Sequence, residues 1–162
     1  MTRILALSLA LAACGSARPP VAAAPPPAAH HDGLQIKHTS VYVDDQAKAL
    51  RFYTEVLGFA KKDDVTSGPY RWLTVSSPGD ADGAELQLAL NDSPAAKAYQ
   101  QALFAAHMPA AMFYTDDIKR DYERIKAHGG EFTMPPTDVT GSTIAQLGDT
   151  CGNLVQLTQL RR

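Results

Sequence analysis

A stretch that returns constrains this chain more than any other feature. Ile36-Lys37-His38-Thr39-Ser40-Val41-Tyr42-Val43-Asp44-Asp45 comes back in degraded form as Pro109-Ala110-Ala111-Met112-Phe113-Tyr114-Thr115-Asp116-Asp117. Each copy reads as a short alternating strand that runs into an Asp-Asp pair, then an amphipathic helix that ends at a glycine. The shift can be counted: Asp45 to Asp117 is 72 residues, and so is Gly58 to Gly130. Further on it is 69, with Gly83 meeting Gly152 and Leu86-Gln87-Leu88 meeting Val155-Gln156-Leu157, so a three-residue deletion in one loop separates the copies. Such a chain must fold as two like modules.

Within the first copy, Thr39, Val41 and Val43 share one face of a strand, and His38, Ser40 and Tyr42 share the other. Asp44 or Asp45 can cap the helix that follows. Ala47, Leu50, Tyr53 and Leu57, reinforced by Phe52 and Val56, make its apolar stripe, and Gly58 ends it. A strand at residues 69–75 and a turn-rich loop at 78–83 come next. Residues 84–90 then form a strand with its leucines on one face and Glu85 and Gln87 on the other. The unit is strand, helix, then two or three strands. A connecting helix over residues 95–106 opens at Asp92-Ser93-Pro94, with Tyr99, Leu103 and Ala106 expected as its buried stripe. In the second copy Ile118, Tyr122 and Ile125 supply the helical stripe, the middle strands are expected at 131–134 and 142–147, and Asp149-Thr150-Cys151-Gly152-Asn153 makes the last turn.

The ends carry different information. Arg3 and the apolar run at residues 4–13 have the form of a signal peptide core, too short for a bilayer span of about 20 residues. Leu11-Ala12-Ala13-Cys14-Gly15 resembles the lipobox of bacterial lipoproteins, in which the cysteine is acylated. That resemblance implies a leader at 1–13, lipidation at Cys14 and attachment by acyl chains to the cell envelope, with Gly15 favouring the outer membrane, facing the periplasm. Residues 14–33, rich in alanine and proline, read as an extended tether, and residues 34–160 as the folded domain. A net charge of −2 leaves no basic footprint for nucleic acid. The two cysteines, Cys14 and Cys151, sit in settings too different for a disulfide, so Cys151 is expected to be a free thiol.

His38, Val41-Tyr42-Val43-Asp44-Asp45, Arg51-Phe52-Tyr53, Leu57-Gly58-Phe59 and the closing Asp149-Thr150-Cys151-Gly152-Asn153-Leu154-Val155-Gln156-Leu157 together resemble the vicinal oxygen chelate superfamily. That group includes glyoxalase I, bleomycin-resistance proteins and extradiol dioxygenases. The resemblance spans about residues 35–159 and implies an α+β fold: two βαβββ modules forming a cup-shaped mixed sheet with helices outside. Two modules in one chain permit the cup to be completed within the chain or across a homodimer. In metal-dependent members a divalent ion sits in the cup, and carrying its ligand positions over gives His38, Gln87, Ala110 and Gln156. Alanine coordinates nothing, and a glutamine amide is a neutral donor where a carboxylate is usual. Glu85, two residues from Gln87 on the same face, could supply a carboxylate after a register change, making His38, Glu85, Gln87 and Gln156 the set to consider.

Two classes of function follow. One is a metal-free module that binds a small hydrophobic or planar molecule, with His38, Ser40, Tyr42, Trp72, Glu85, Gln87, Met112, Tyr114 and Gln156, together with Gln146, lining the cup. In this reading His38 is a hydrogen-bonding residue beside Glu85, and the flat rings of Trp72 and Tyr114 suit a planar ligand. The other is a metal-dependent lyase, isomerase or dioxygenase. The donor set favours the first, with no cofactor. No Gly-x-Ser-x-Gly elbow, phosphate-binding glycine loop or Cys-x-x-Cys pair offers a third.

Overall fold

The computed structural model describes residues 33–80 and 82–161. The leader, the lipidation site Cys14 and nearly all of the tether lie outside the described residues. The described residues from 35 onward form one compact unit.

Strand β1 (His38–Val43) leads into α1 (Gln46–Arg51), which continues directly as a π-helical turn, Phe52–Val56. Strands β2 (Ala60–Ser67), β3 (Tyr70–Ser76) and β4 (Glu85–Leu90) complete the first module. Helix α2 (Pro94–Ala105) connects it to β5 (Ala111–Tyr114), α3 (Ile118–Ala127), β6 (Phe132–Val139), β7 (Ser142–Gly148) and β8 (Leu154–Leu160). The modules form separate four-stranded sheets, ordered β1-β4-β3-β2 and β5-β8-β7-β6, each mixed because β1 runs parallel to β4 and β5 parallel to β8. This is the expected α+β architecture of paired βαβββ units.

Alternation assigns the faces. Val41, Val43, Leu73, Val75 and Leu88 are buried against Ala49, Phe52, Tyr53 and Leu57, and Ala145, Leu147, Val155 and Leu157 against Ile118 and Ile125, all in one core. At about 1.5–3 kcal/mol for each fully buried large aliphatic side chain, this shared core is the principal stabilising term. Asp45 is the residue that caps α1, accepting from the Ala47 and Lys48 backbone N–H groups at 2.8 and 2.9 Å. Its carboxyl is accordingly held below the ordinary value of 3.8, chiefly by those two bonds.

Three expectations are corrected. The first concerns the helix-ending glycines. Gly58 has φ +87° and its conformational counterpart is Gly129, at φ +88°, not Gly130. The π-turn inserts one residue into the first helix, bonding Leu57 N–H to Phe52 C=O, so the offset there is 71 rather than 72. Secondly, α2 does not bury Tyr99, which is 57% exposed; Ala96 and Gln100 face inward. Gln100 does so because its amide is fully used: Nε2 donates to the carbonyls of Tyr42 (2.6 Å) and Cys151 (2.9 Å), and Oε1 accepts from Asn91 Nδ2 (2.6 Å). Finally, β6 runs past 134 through Pro135 and Pro136. It is an edge strand with register shifts there, which is where missing N–H groups are tolerated.

The modules are locked together around the β7–β8 turn and the helix ends. Arg124 of α3 donates to the carbonyls of Val56 (3.2 Å) and Leu57 (3.0 Å), capping the π-turn from the other module. Phe113 packs on Phe59 at 4.9 Å and edge-on to Tyr53 at 6.4 Å.

Candidate functional site

The pleat that buries Val41 and Val43 turns His38 and Ser40 outward, and the parallel β1–β4 register sets His38 beside Glu85 and Ser40 beside Gln87. These pairs are linked. His38 Nε2 lies 3.4 Å from Glu85 Oε2, and Ser40 Oγ donates to Gln87 Oε1 at 2.7 Å. Glu85 Oε2 also accepts from Thr74 Oγ1 at 2.8 Å, while Gln87 Nε2 donates to the Tyr70 hydroxyl at 3.0 Å. The Trp72 ring meets the His38 imidazole edge-to-face at 5.2 Å. His38, Ser40, Trp72, Glu85 and Gln87 therefore form one network on the polar face of the first sheet. Tyr70 and Thr74 join it; both share Trp72's parity on β3, and that parity was the sequence signal for them.

The second module carries a smaller cluster. Gln156 Oε1 accepts from Gln146 Nε2 at 3.3 Å, and its Nε2 donates to Thr158 Oγ1 at 3.1 Å and contacts Met112 Sδ at 3.6 Å. Tyr42 belongs to neither cluster: its ring packs edge-on to Tyr99 of α2 at 6.2 Å.

Where the modules adjoin, a cleft of about 420 Å³ opens. Its walls are Thr39 and Ser40 of β1, Val75 and Ser76 of β3, Glu85 and Leu86 of β4, Phe59, and residues 109–114. Ser40, Glu85, Met112 and Tyr114 thus meet in one cavity. Trp72 and His38 do not line it; His38 reaches the lining through Glu85, and Trp72 packs on His38. Phe59 and Ser76 were not foreseen, because only the packing of one module on the other brings them there.

The ligand positions carried over from metal-dependent proteins do not make a good ion site. Both glutamine amides are engaged within their own sheets, Ala110 offers no donor, and the remaining pair is one imidazole and one carboxylate. Among the described residues no three His, Cys, Asp or Glu side chains converge. A catalytic ion needs about three protein ligands with charge to balance it.

A buried node lies beside the site. Asp149 is fully buried in the β7–β8 turn, where Oδ1 accepts from the backbone N–H groups of Cys151 (2.8 Å) and Asn153 (2.9 Å). Its Oδ2 accepts from Asn153 Nδ2 (2.6 Å) and the Tyr53 hydroxyl (3.2 Å). Burial raises the Asp149 carboxyl above 3.8, although these bonds oppose it. Burial likewise lifts the neighbouring Cys151 thiol to about 12, assisted by the Asp149 charge. Asn153 Nδ2 reaches across to the Tyr42 carbonyl at 2.7 Å, so this turn holds the edge of β1 in place.

Residues 35–157, which hold both modules, match a known family model, that of the Glyoxalase/Bleomycin resistance protein/Dioxygenase superfamily. The chain belongs to this superfamily. Among superfamily relatives, it is 51% identical over 126 residues to the uncharacterized protein YurT of Bacillus subtilis, covering 78% of this chain and 99% of YurT. It is 31% identical over 129 residues to a probable lactoylglutathione lyase of Vibrio cholerae, covering 77% and 90% respectively. Among solved structures it is similar to TnmS3, an antibiotic binding protein from Streptomyces sp. CB03234, at TM-score 0.64 and 28% identity, covering 82% of this chain and all of that one.

Proposed function

We propose that this superfamily member is a binding module that holds a small hydrophobic or planar molecule without a catalytic metal. The observation that carries the reading is the state of the two glutamines: Gln87 and Gln156, at the carried-over ligand positions, each spend both amide ends on hydrogen bonds inside their own sheets. Such amides are neutral and already engaged, where a divalent ion calls for charged donors. Similarity to a protein described as antibiotic binding supports the same class. Binding then needs only what the chain supplies: apolar walls at Phe59, Met112 and Phe113, and oriented polar groups at Ser40 and Glu85.

The test is elemental analysis of full-length protein purified without chelator or metal-affinity resin, paired with fluorescence of Trp72, the single tryptophan. Metal-free protein whose Trp72 emission is quenched by planar compounds sustains the reading. Stoichiometric nickel, zinc, iron or manganese that is lost on His38→Ala overturns it in favour of a metal-dependent lyase or dioxygenase, the class to which the Vibrio relative's name points.

The same proposal places the domain in the bacterial envelope, lipid-anchored through Cys14 to the outer membrane and facing the periplasm. Leu11-Ala12-Ala13-Cys14 after a short apolar run supports it. Mass spectrometry and fractionation of a Cys14→Ser variant should show no acylation and loss from the membrane fraction; unchanged attachment would refute the anchor.

A further inference from the structure

We infer that the inter-module cleft selects small aromatic cations, an inference that rests on the binding-module reading and names its ligand class. The cleft's lining holds one side chain that is formally charged at neutral pH among the described residues, Glu85. Its carboxylate is largely enclosed, with 14% side-chain exposure. The partners of its Oε2 are the Thr74 hydroxyl and the His38 imidazole, neither a fixed charge, and its Oε1 takes no hydrogen bond among the described residues.

Two basic side chains of the first module, on the segments that flank Glu85's strand, are directed elsewhere. Lys37 Nζ donates to the Asp82 carbonyl at 2.7 Å, and Arg71 forms a two-pronged pair with Asp64 at 2.8 and 2.9 Å. A mostly desolvated carboxylate without a permanent counter-charge favours a ligand that brings one. The rest of the cleft specifies what carries that charge. Phe59 and Phe113 supply flat apolar contact, Met112 a polarisable sulfur, and Tyr114 a further ring for a planar ligand of either kind. A volume of about 420 Å³ lies toward the small end of ligand pockets, which suits one or two fused rings.

The test is calorimetric titration of the full-length protein with three probes of matched ring size: N-methylquinolinium, 1-naphthalenemethanol and 1-naphthoate. The cation should bind at least about tenfold more tightly than the neutral alcohol, a difference of about 1.4 kcal/mol, with the anion weakest. Glu85→Gln keeps the shape and the Thr74 acceptor, so it should fold alike and bring cation and alcohol within about twofold. Tyr114→Ala, at a side chain 68% exposed and safe for folding, should weaken cation and alcohol together. Equal binding of cation and alcohol by the native chain, or a cation preference that survives Glu85→Gln, overturns the inference while ring binding itself keeps the binding-module reading. If none of the three binds, the inference is overturned and the metal content alone decides that reading.

Discussion

Replacing Asp149 with alanine tests whether one buried carboxylate ties the two modules together. In the native protein four donors converge on it: the N–H groups of Cys151 and Asn153, the Asn153 amide and the Tyr53 hydroxyl. Asn153 Nδ2 keeps a second acceptor in the Tyr42 carbonyl, so alanine strands three donors outright. At roughly 1–3 kcal/mol for each buried donor left without a partner, the gross loss is about 3–9 kcal/mol. Relief of the cost of burying the carboxylate offsets part of it, and a net destabilisation of about 3–5 kcal/mol, typical of breaking a buried charged network, is expected. Tyr53→Phe removes a single donor and leaves the carboxylate with three, so about 1 kcal/mol is expected there.

The assay is urea unfolding of both variants at pH 7, followed by far-UV circular dichroism. A loss below about 1 kcal/mol for Asp149→Ala would refute the argument, because the turn would then be held by its backbone and core contacts alone. pH supplies an independent check. Burial raises the Asp149 carboxyl above 3.8, so its contribution to stability is fully present below that value and is lost as pH rises through the folded-state value. Stability of the native chain relative to Asp149→Asn should therefore fall as pH is raised from about 3.8 and then level off. A relative stability that instead rises over this range contradicts the assigned direction.

Other positions give shorter tests. Gly129→Ala meets nothing within 4 Å and suffers only its left-handed backbone, so about 1 kcal/mol is expected by thermal unfolding. Gly130→Ala should cost more, since a methyl group there would lie 2.4 Å from Ile125 Cγ2 and 3.0 Å from the Ile125 carbonyl oxygen. Cys151, buried and with its thiol lifted to about 12, should resist a thiol reagent at pH 8 in the folded protein and react on unfolding in urea. Gln100→Leu strands the Cys151 carbonyl and one acceptor of Asn153, so about 2 kcal/mol should be lost despite the apolar replacement.

What the sequence discloses about this protein, and what it withholds, divides along a physical line. A period of two along β1 and β4 is a local property, and it placed Val41 and Val43 in the core and His38, Ser40, Glu85 and Gln87 on the open face. The repeat is a global property but a one-dimensional one, and it gave both modules and the three-residue shortening between β7 and β8. The counting failed where the chain changed pitch without changing composition. The π-turn at Phe52–Val56 shifts the helix-ending glycine by one residue, and no residue type there announces it. Polarity misled in α2, where Gln100 is buried because four groups from distant segments converge on its amide. The cleft was legible only in part, through Ser40, Glu85, Met112 and Tyr114, and its Phe59 and Ser76 walls were not. Phe59, Ser76, Glu85 and Met112 stand far apart in the chain and share a cavity only because Arg124, Phe113 and the Asp149 turn fix one module against the other. The cleft therefore depends on a joint that neither module encodes alone. A variant that loosens the joint at Asp149 should weaken ligand binding in the cleft as well as stability, although it touches no ligand.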